Sequence, residues 1–150
     1  MPYADTIRTS SPTFENVASL IDGQLISYSA VEVDSVQTYT VSGTITGSSI
    51  TLACAAGEAV LLLANVTVSH STLNADMDLR VQKNGSNIGG AYGYSRAFRA
   101  NTSGLDQQLV HHVIDLPSAG THTYSLRMSV GTATLYTRGV RFSAIKFRNS

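Results

Sequence analysis

One stretch of the chain is apolar on both faces. Ala59-Val60-Leu61-Leu62-Leu63-Ala64 shows no alternation, and a two-residue rhythm resumes only with Asn65-Val66-Thr67-Val68. A strand that covers a core on one side alternates apolar with polar positions. The first half of 59–68 therefore predicts a strand that is covered on both sides. Residues 140–147 behave similarly: Phe142 and Ala144 point one way, Ile145 and Phe147 the other. Residues 77–83 (Met-Asp-Leu-Arg-Val-Gln-Lys) alternate cleanly and predict one wet face, and 122–130 carries the cleanest alternation in the chain.

Shorter strands are predicted over 24–33, 36–45, 50–52, 88–98, 108–116 and 133–137. Turn residues separate them. Asn84-Gly85 is a strong hairpin signal, because a type I′ turn needs positive φ at both central positions. Gly47-Ser48-Ser49, Ser118-Ala119-Gly120, Gly131 and Gly139 mark further turns. About nine or ten short strands joined by short turns predict an all-β sandwich or jelly roll. No strand-then-helix rhythm supports a parallel sheet. Residues 1–22 lack a sustained period. Ser11-Pro12 opens at most one helical turn through Leu20, with serine as cap and proline in the first helical position. The expected organisation is an N-terminal arm over 1–22 and one β domain over 23–150. With Tyr3, Ile7 and Phe14 the arm is too apolar for a solvated tail, so it lies on its own domain or on a partner.

Composition adds three constraints. At 150 residues the chain is long enough for one domain with a real core, and charged residues make up only 13%. Cys54 is the one cysteine, which excludes an internal disulfide and reads as a small core residue. No cationic, apolar leader opens the chain and no apolar run approaches membrane-spanning length. The expectation is a protein made in a reducing cytosol, starting at its own methionine. Net charge is zero but lopsided. Residues 1–78 hold one basic residue against eight acids, a net of −7. Residues 79–150 hold nine basic residues against two acids, a net of +7. Either strands from both halves interleave and the charges meet, or the particle is polarised and docks on a charged surface.

No catalytic constellation emerges, and no enzyme activity, cofactor or metal is expected. His111 and His112 are adjacent on a strand and must point to opposite faces, so they cannot chelate one metal together. Asp76 and Asp78 share a face but read as a solvated pair. No Gly-x-Ser-x-Gly elbow occurs. Gly89-Gly90-Ala91-Tyr92-Gly93 lacks the strand-to-helix setting of a phosphate cradle. Tyr92, Tyr94 and Arg96 belong to an aromatic and basic cluster of a kind that stacks on sugars or bases, although one packed strand face explains it as well.

The order of several short patterns is similar to the jelly-roll modules of tailed-phage structural proteins. These are Gly23-Gln24-Leu25-Ile26-Ser27-Tyr28, Ile50-Thr51-Leu52, Val60-Leu61-Leu62-Leu63 and Leu79-Arg80-Val81-Gln82-Lys83-Asn84-Gly85-Ser86-Asn87-Ile88-Gly89. Gly93-Tyr94-Ser95-Arg96-Ala97, Asp115-Leu116-Pro117 and Tyr124-Ser125-Leu126 follow. The closing Phe142-Ser143-Ala144-Ile145-Lys146-Phe147 resembles the last strand of the tumour-necrosis-factor and complement-C1q fold. The resemblance covers residues 23–148. It implies an antiparallel jelly-roll sandwich that forms a homotrimer, with one sheet turned towards a threefold axis. Leu62, His112, Tyr136 and Phe142 are the expected axis residues.

As a function, the resemblance implies a virion structural protein. The leading expectation is a capsid decoration (cement) protein, synthesised in the host cytoplasm and bound to the major capsid protein on the outer surface of a phage head. Tyr3, Ile7, Arg8 and Phe14 of the arm would make the capsid contact. The alternative is the receptor- or carbohydrate-binding tip of a tail fibre, with Tyr92, Tyr94 and Arg96 at a glycan site. Neither nucleic acid nor a membrane is an expected partner.

Overall fold

The alternating segments pair from the outside of the chain inwards. The computed structural model describes residues 25–71, 76–90, 93–98, 106–131 and 134–148. The predicted arm, with Tyr3, Ile7, Arg8 and Phe14, lies outside them. Eleven strands run through the described residues. They are β1 (Leu25–Val33), β2 (Gln37–Tyr39), β3 (Gly43–Thr44), β4 (Ile50–Cys54), β5 (Glu58–His70) and β6 (Asp76–Lys83), then β7 (Ser86–Asn87), β8 (Ser95–Phe98), β9 (Gln107–Asp115), β10 (Gly120–Val130) and β11 (Leu135–Arg148). Among the eight longer ones, β1 pairs with β11, β4 with β10, β5 with β9 and β6 with β8, all antiparallel. This nesting is one long ribbon rolled up, which is a jelly roll. Two further pairings, β11 with β5 and β10 with β6, close it into two sheets.

The first sheet has the order β1-β11-β5-β9. β2 continues the edge of β11 that β1 begins. The second sheet contains β3 and β4 along one edge of β10, then β6, then β7 and β8. Leu62, Val66 and Phe142 from the first sheet and Leu79, Val81 and Leu126 from the second are fully buried between the layers. Cys54 lies in this core, where burial pushes its thiol pKa up. An Asp115 carboxylate at the end of β9 ties the layers together. Lys83 Nζ donates to both of its oxygens, at 3.0 and 2.9 Å, and the buried Tyr124 hydroxyl donates to Oδ2 at 2.8 Å. Burial, and then the Asp115 carboxylate, push the Tyr124 pKa far above the usual phenol range.

Four predicted segments differ in detail. The strand expected over 36–45 is broken into β2 and β3, because the chain changes sheets there: β2 pairs with β11 and β3 with β10. Tyr39 hydrogen-bonds Gln37 and accepts from the Thr46 N–H at 3.2 Å, which fixes the crossing. Of the return strand expected over 88–98, the described part is split: β7 ends at Asn87, the Ile88 N–H still donates to the Val81 carbonyl at 3.0 Å, and strand pairing is found again from Ser95. The segments expected over 133–137 and 140–147 are one strand, β11, with an irregularity between Thr137 and Gly139. The hairpin signal at Asn84-Gly85 holds: both residues have positive φ, 50° and 82°.

Candidate interaction surface

The first sheet has an apolar outer face. Val60, Leu62, Ala64, Val66 and Val68 of β5 are buried, so the intervening Leu61, Leu63, Asn65 and Thr67 point away from the core. Register then lines up whole rows across the sheet. Tyr28 of β1 pairs with Ile145 of β11, Ile145 with Leu61 of β5, and Leu61 with Ile114 of β9. Ala30, Ser143, Leu63 and His112 form the next row, and Glu32, Arg141, Asn65 and Val110 the one after. Tyr28 is 62% exposed, Leu63 40%, Val110 64%, Ile114 62% and Leu116 63%. Apolar residues of this size exposed side by side on a soluble surface mark an interaction site.

The face is graded along the strands. Its apolar end holds Tyr28, Ile114 and Leu116; its other end is charged. Arg141 Nη1 donates to Asp34 at 2.7 Å, and its Nε lies 3.3 Å from Glu32. Asp34 first, and then Glu32, raise the Arg141 pKa further. Arg138 Nε lies 2.9 Å from Asp106. Here acids of the first half meet basic residues of the second: Glu32 and Asp34 pair with Arg141, and Glu58 with Lys146.

Of the four expected axis residues, His112 is exposed and Tyr136 half-buried on the outer face. Leu62 and Phe142 are corrected. Both are fully buried in the core between the sheets, so neither is free to contact another subunit. The outward positions beside them are Leu63, Ser143 and Ile145. The signal was in the sequence. Asn65 and Thr67 are the polar positions of the second half of β5, and counting back by twos puts Leu63 and Leu61 with them.

The aromatic and basic cluster is only partly assembled. Tyr92 lies outside the described residues. Tyr94 is half-buried, with the Arg80 guanidinium 4.6 Å from its ring centroid. Arg96 sits on β8 in register with Asp78 of β6. His111 and His112 point to opposite faces, as strand alternation requires. His111 is buried beside Ser95, whose Oγ is 3.1 Å from Nδ1. Burial first, then the charges of His112 and Arg80, lower its pKa against the opposing pull of the Gly93 backbone. Among the described residues no group of three or more His, Cys, Asp or Glu side chains converges as a metal site would require.

No protein-family model matches the chain, and no curated protein matches it in sequence. Solved structures do match in fold. A chain of the infectious bursal disease virus Gt strain superposes with a TM-score of 0.54 at 10% identity, covering 82% of this chain and 36% of that one. VP2 of the same virus, in a subviral particle, gives 0.50 at 10% identity, with 81% and 33% covered. The globular domain of zebrafish complement 1qA gives 0.49 at 7% identity, covering 78% of this chain and 94% of that domain. The chain thus spans about a third of the length of the viral chains it matches. At such identities the likeness to the viral chains is one of fold. It agrees with the jelly roll established by the strand pairing.

Proposed function

We propose that the chain is a non-catalytic virion structural protein: a homotrimeric decoration protein on the outer surface of a phage head. The observation that carries this is the apolar outer face of the β1-β11-β5-β9 sheet. Burying an aliphatic or aromatic side chain stabilises by roughly 1.5–3 kcal/mol, and the row Tyr28, Ile145, Leu61 and Ile114 would be repeated in each of three copies. Leu63, His112 and Tyr136 extend the contact, in place of the inward Leu62 and Phe142. The matched viral chains come from virus particles, and the sequence pattern is similar to phage jelly-roll modules. Both support a place in a virion shell. The capsid contact is assigned to Tyr3, Ile7, Arg8 and Phe14, where an arm spanning several shell subunits gains through multivalency.

The test has two readouts. Sedimentation of the full chain at micromolar concentration is expected to give a trimer. Ile114→Glu, which buries a charge in the contact but leaves the core untouched, is expected to give a folded monomer. Virions are expected to carry hundreds of copies of the protein on the head. A stable wild-type monomer overturns the trimer. A handful of copies at the tail overturns the decoration role in favour of a fibre tip.

A further inference from the structure

The outer face of the second sheet sets two like charges against each other. β6 and β10 pair Arg80 directly with Arg127. Both point outward, because Leu79, Val81, Leu126 and Met128 on either side of them are buried. Opposed like charges destabilise an antiparallel pair. Their one acidic partner among the described residues is Asp78, which pairs with Arg80 at the limit of an ion pair. Thr44 is the partner of Arg127 on β3. Asp78 Oδ2 is 4.0 Å from Arg80 Nη2, beyond hydrogen-bonding distance. Arg127 has no ion pair among the described residues, and no N–H of either guanidinium donates a hydrogen bond there. The Arg80 guanidinium carbon lies over the Tyr94 ring, 4.6 Å from its centroid, a cation–π contact.

Between the two arginines lies an open cleft of about 450 Å³, lined also by Gln82, Gly85, Asn87 and Ser129. Its floor is braced. The Gln82 side chain is buried and donates to the Gly85 carbonyl at 3.0 Å and to Asn87 Oδ1 at 3.1 Å, while its oxygen accepts from Thr44. With Asn87 Oδ1 used as an acceptor, the amide group of that residue that remains is a donor. The cleft therefore presents two guanidinium forks that donate no hydrogen bond among the described residues, an amide N–H and a hydroxyl. That set repels cations, offers nothing to a greasy ligand and matches the geometry of carboxylate or phosphate oxygens.

We propose that the cleft between Arg80 and Arg127 binds an oxyanion carried by a small hydrophilic ligand, the chemistry shared by inorganic phosphate and a sugar acid. The site is on the opposite sheet from the apolar face and does not depend on the trimer or on a capsid.

Calorimetric titration of the full chain at constant ionic strength tests it, with inorganic phosphate, glucuronate and glucose as probes. Phosphate or glucuronate is expected to bind and glucose not. The two charged probes separate a free ion from a sugar acid as the preferred source. Arg127→Gln is expected to weaken binding at least about tenfold, the scale of one lost charge-assisted hydrogen bond, and Arg138→Gln on the other sheet to leave it unchanged. Without added oxyanion, Arg127→Gln is expected to melt about 1–3 °C above the wild type, because the facing repulsion is gone. Equal binding by wild type and Arg127→Gln overturns the site, as does equal affinity for glucose and glucuronate. A lower melting point for the variant also overturns it, since Arg127 would then be structural. Binding of an acidic peptide with no response to phosphate or glucuronate overturns the small-ligand assignment.

Discussion

His111 and His112 are neighbours in sequence and opposites in environment. His112 is exposed on the apolar face, while His111 is buried against Ser95 with its pKa lowered, chiefly by burial. A histidine whose folded pKa is below its unfolded value near 6.5 binds its proton more readily when the chain unfolds. Its contribution to stability is complete above about pH 6.5 and is lost as the pH falls towards the folded value. Thermal melts between pH 7.5 and 5 are expected to show falling stability, at no more than about 1.4 kcal/mol per pH unit for this one proton. His111→Asn keeps a polar partner for Ser95 and is expected to flatten part of that slope. At this scale the sequence was legible wherever parity could be counted. The opposed histidines follow from alternation alone. The face of Leu62 had to be counted back from Asn65 and Thr67, because the double-sided apolar run around it carries no alternation of its own.

Strands whose two edges are both paired were the readable elements. β5, β6 and β10 sit inside their sheets, so their residues alternate or are apolar throughout, and their expected positions match the structure closely; β11 does too, except that Arg138-Gly139 reads as a turn where the strand runs on with an irregularity. The segments that failed are those that leave a sheet. Between β7 and β8 the described glycines approach one another closely: the Gly93 N–H donates to the Gly90 carbonyl at 3.2 Å, and a Cβ placed on Gly93 would clash with the Gly89 carbonyl oxygen. No window of apolar periodicity reports such a backbone crossing; the run of glycines is its one trace. Gly93→Ala is expected to destabilise by about 1–3 kcal/mol, because only backbone movement relieves the clash. Gly43→Ala, where no atom lies within 4 Å of the new methyl group, is expected to be within about 0.5 kcal/mol of neutral. Urea denaturation of both variants checks the contrast.

At the scale of the whole molecule, the two layers are joined by apolar packing and by polar links, of which the strongest is the charged latch of Asp115 with Lys83 and Tyr124. The side chains of Lys83 and Asp115 are 25% and 12% exposed, so the pair is only partly screened by water. Asp115→Asn leaves the ammonium group without its counter-charge and is expected to cost about 1–3 kcal/mol. Adding Lys83→Met removes that stranded charge and is expected to recover part of the loss, since an apolar replacement of a buried pair is often nearly neutral. Chemical denaturation of the single and double variants measures the coupling. The sequence placed these residues at strand ends but gave no means of joining them, because they are brought together by the folding of one sheet over the other. The position of β11 has a temporal consequence. It lies between β1 and β5, pairing Val31 with Phe142 across more than a hundred residues. On the ribosome, the first sheet is missing its middle until that final segment emerges. Every earlier strand of that layer must wait with an unzipped edge, and a nascent chain stalled before residue 135 offers those edges to whatever protein is nearest.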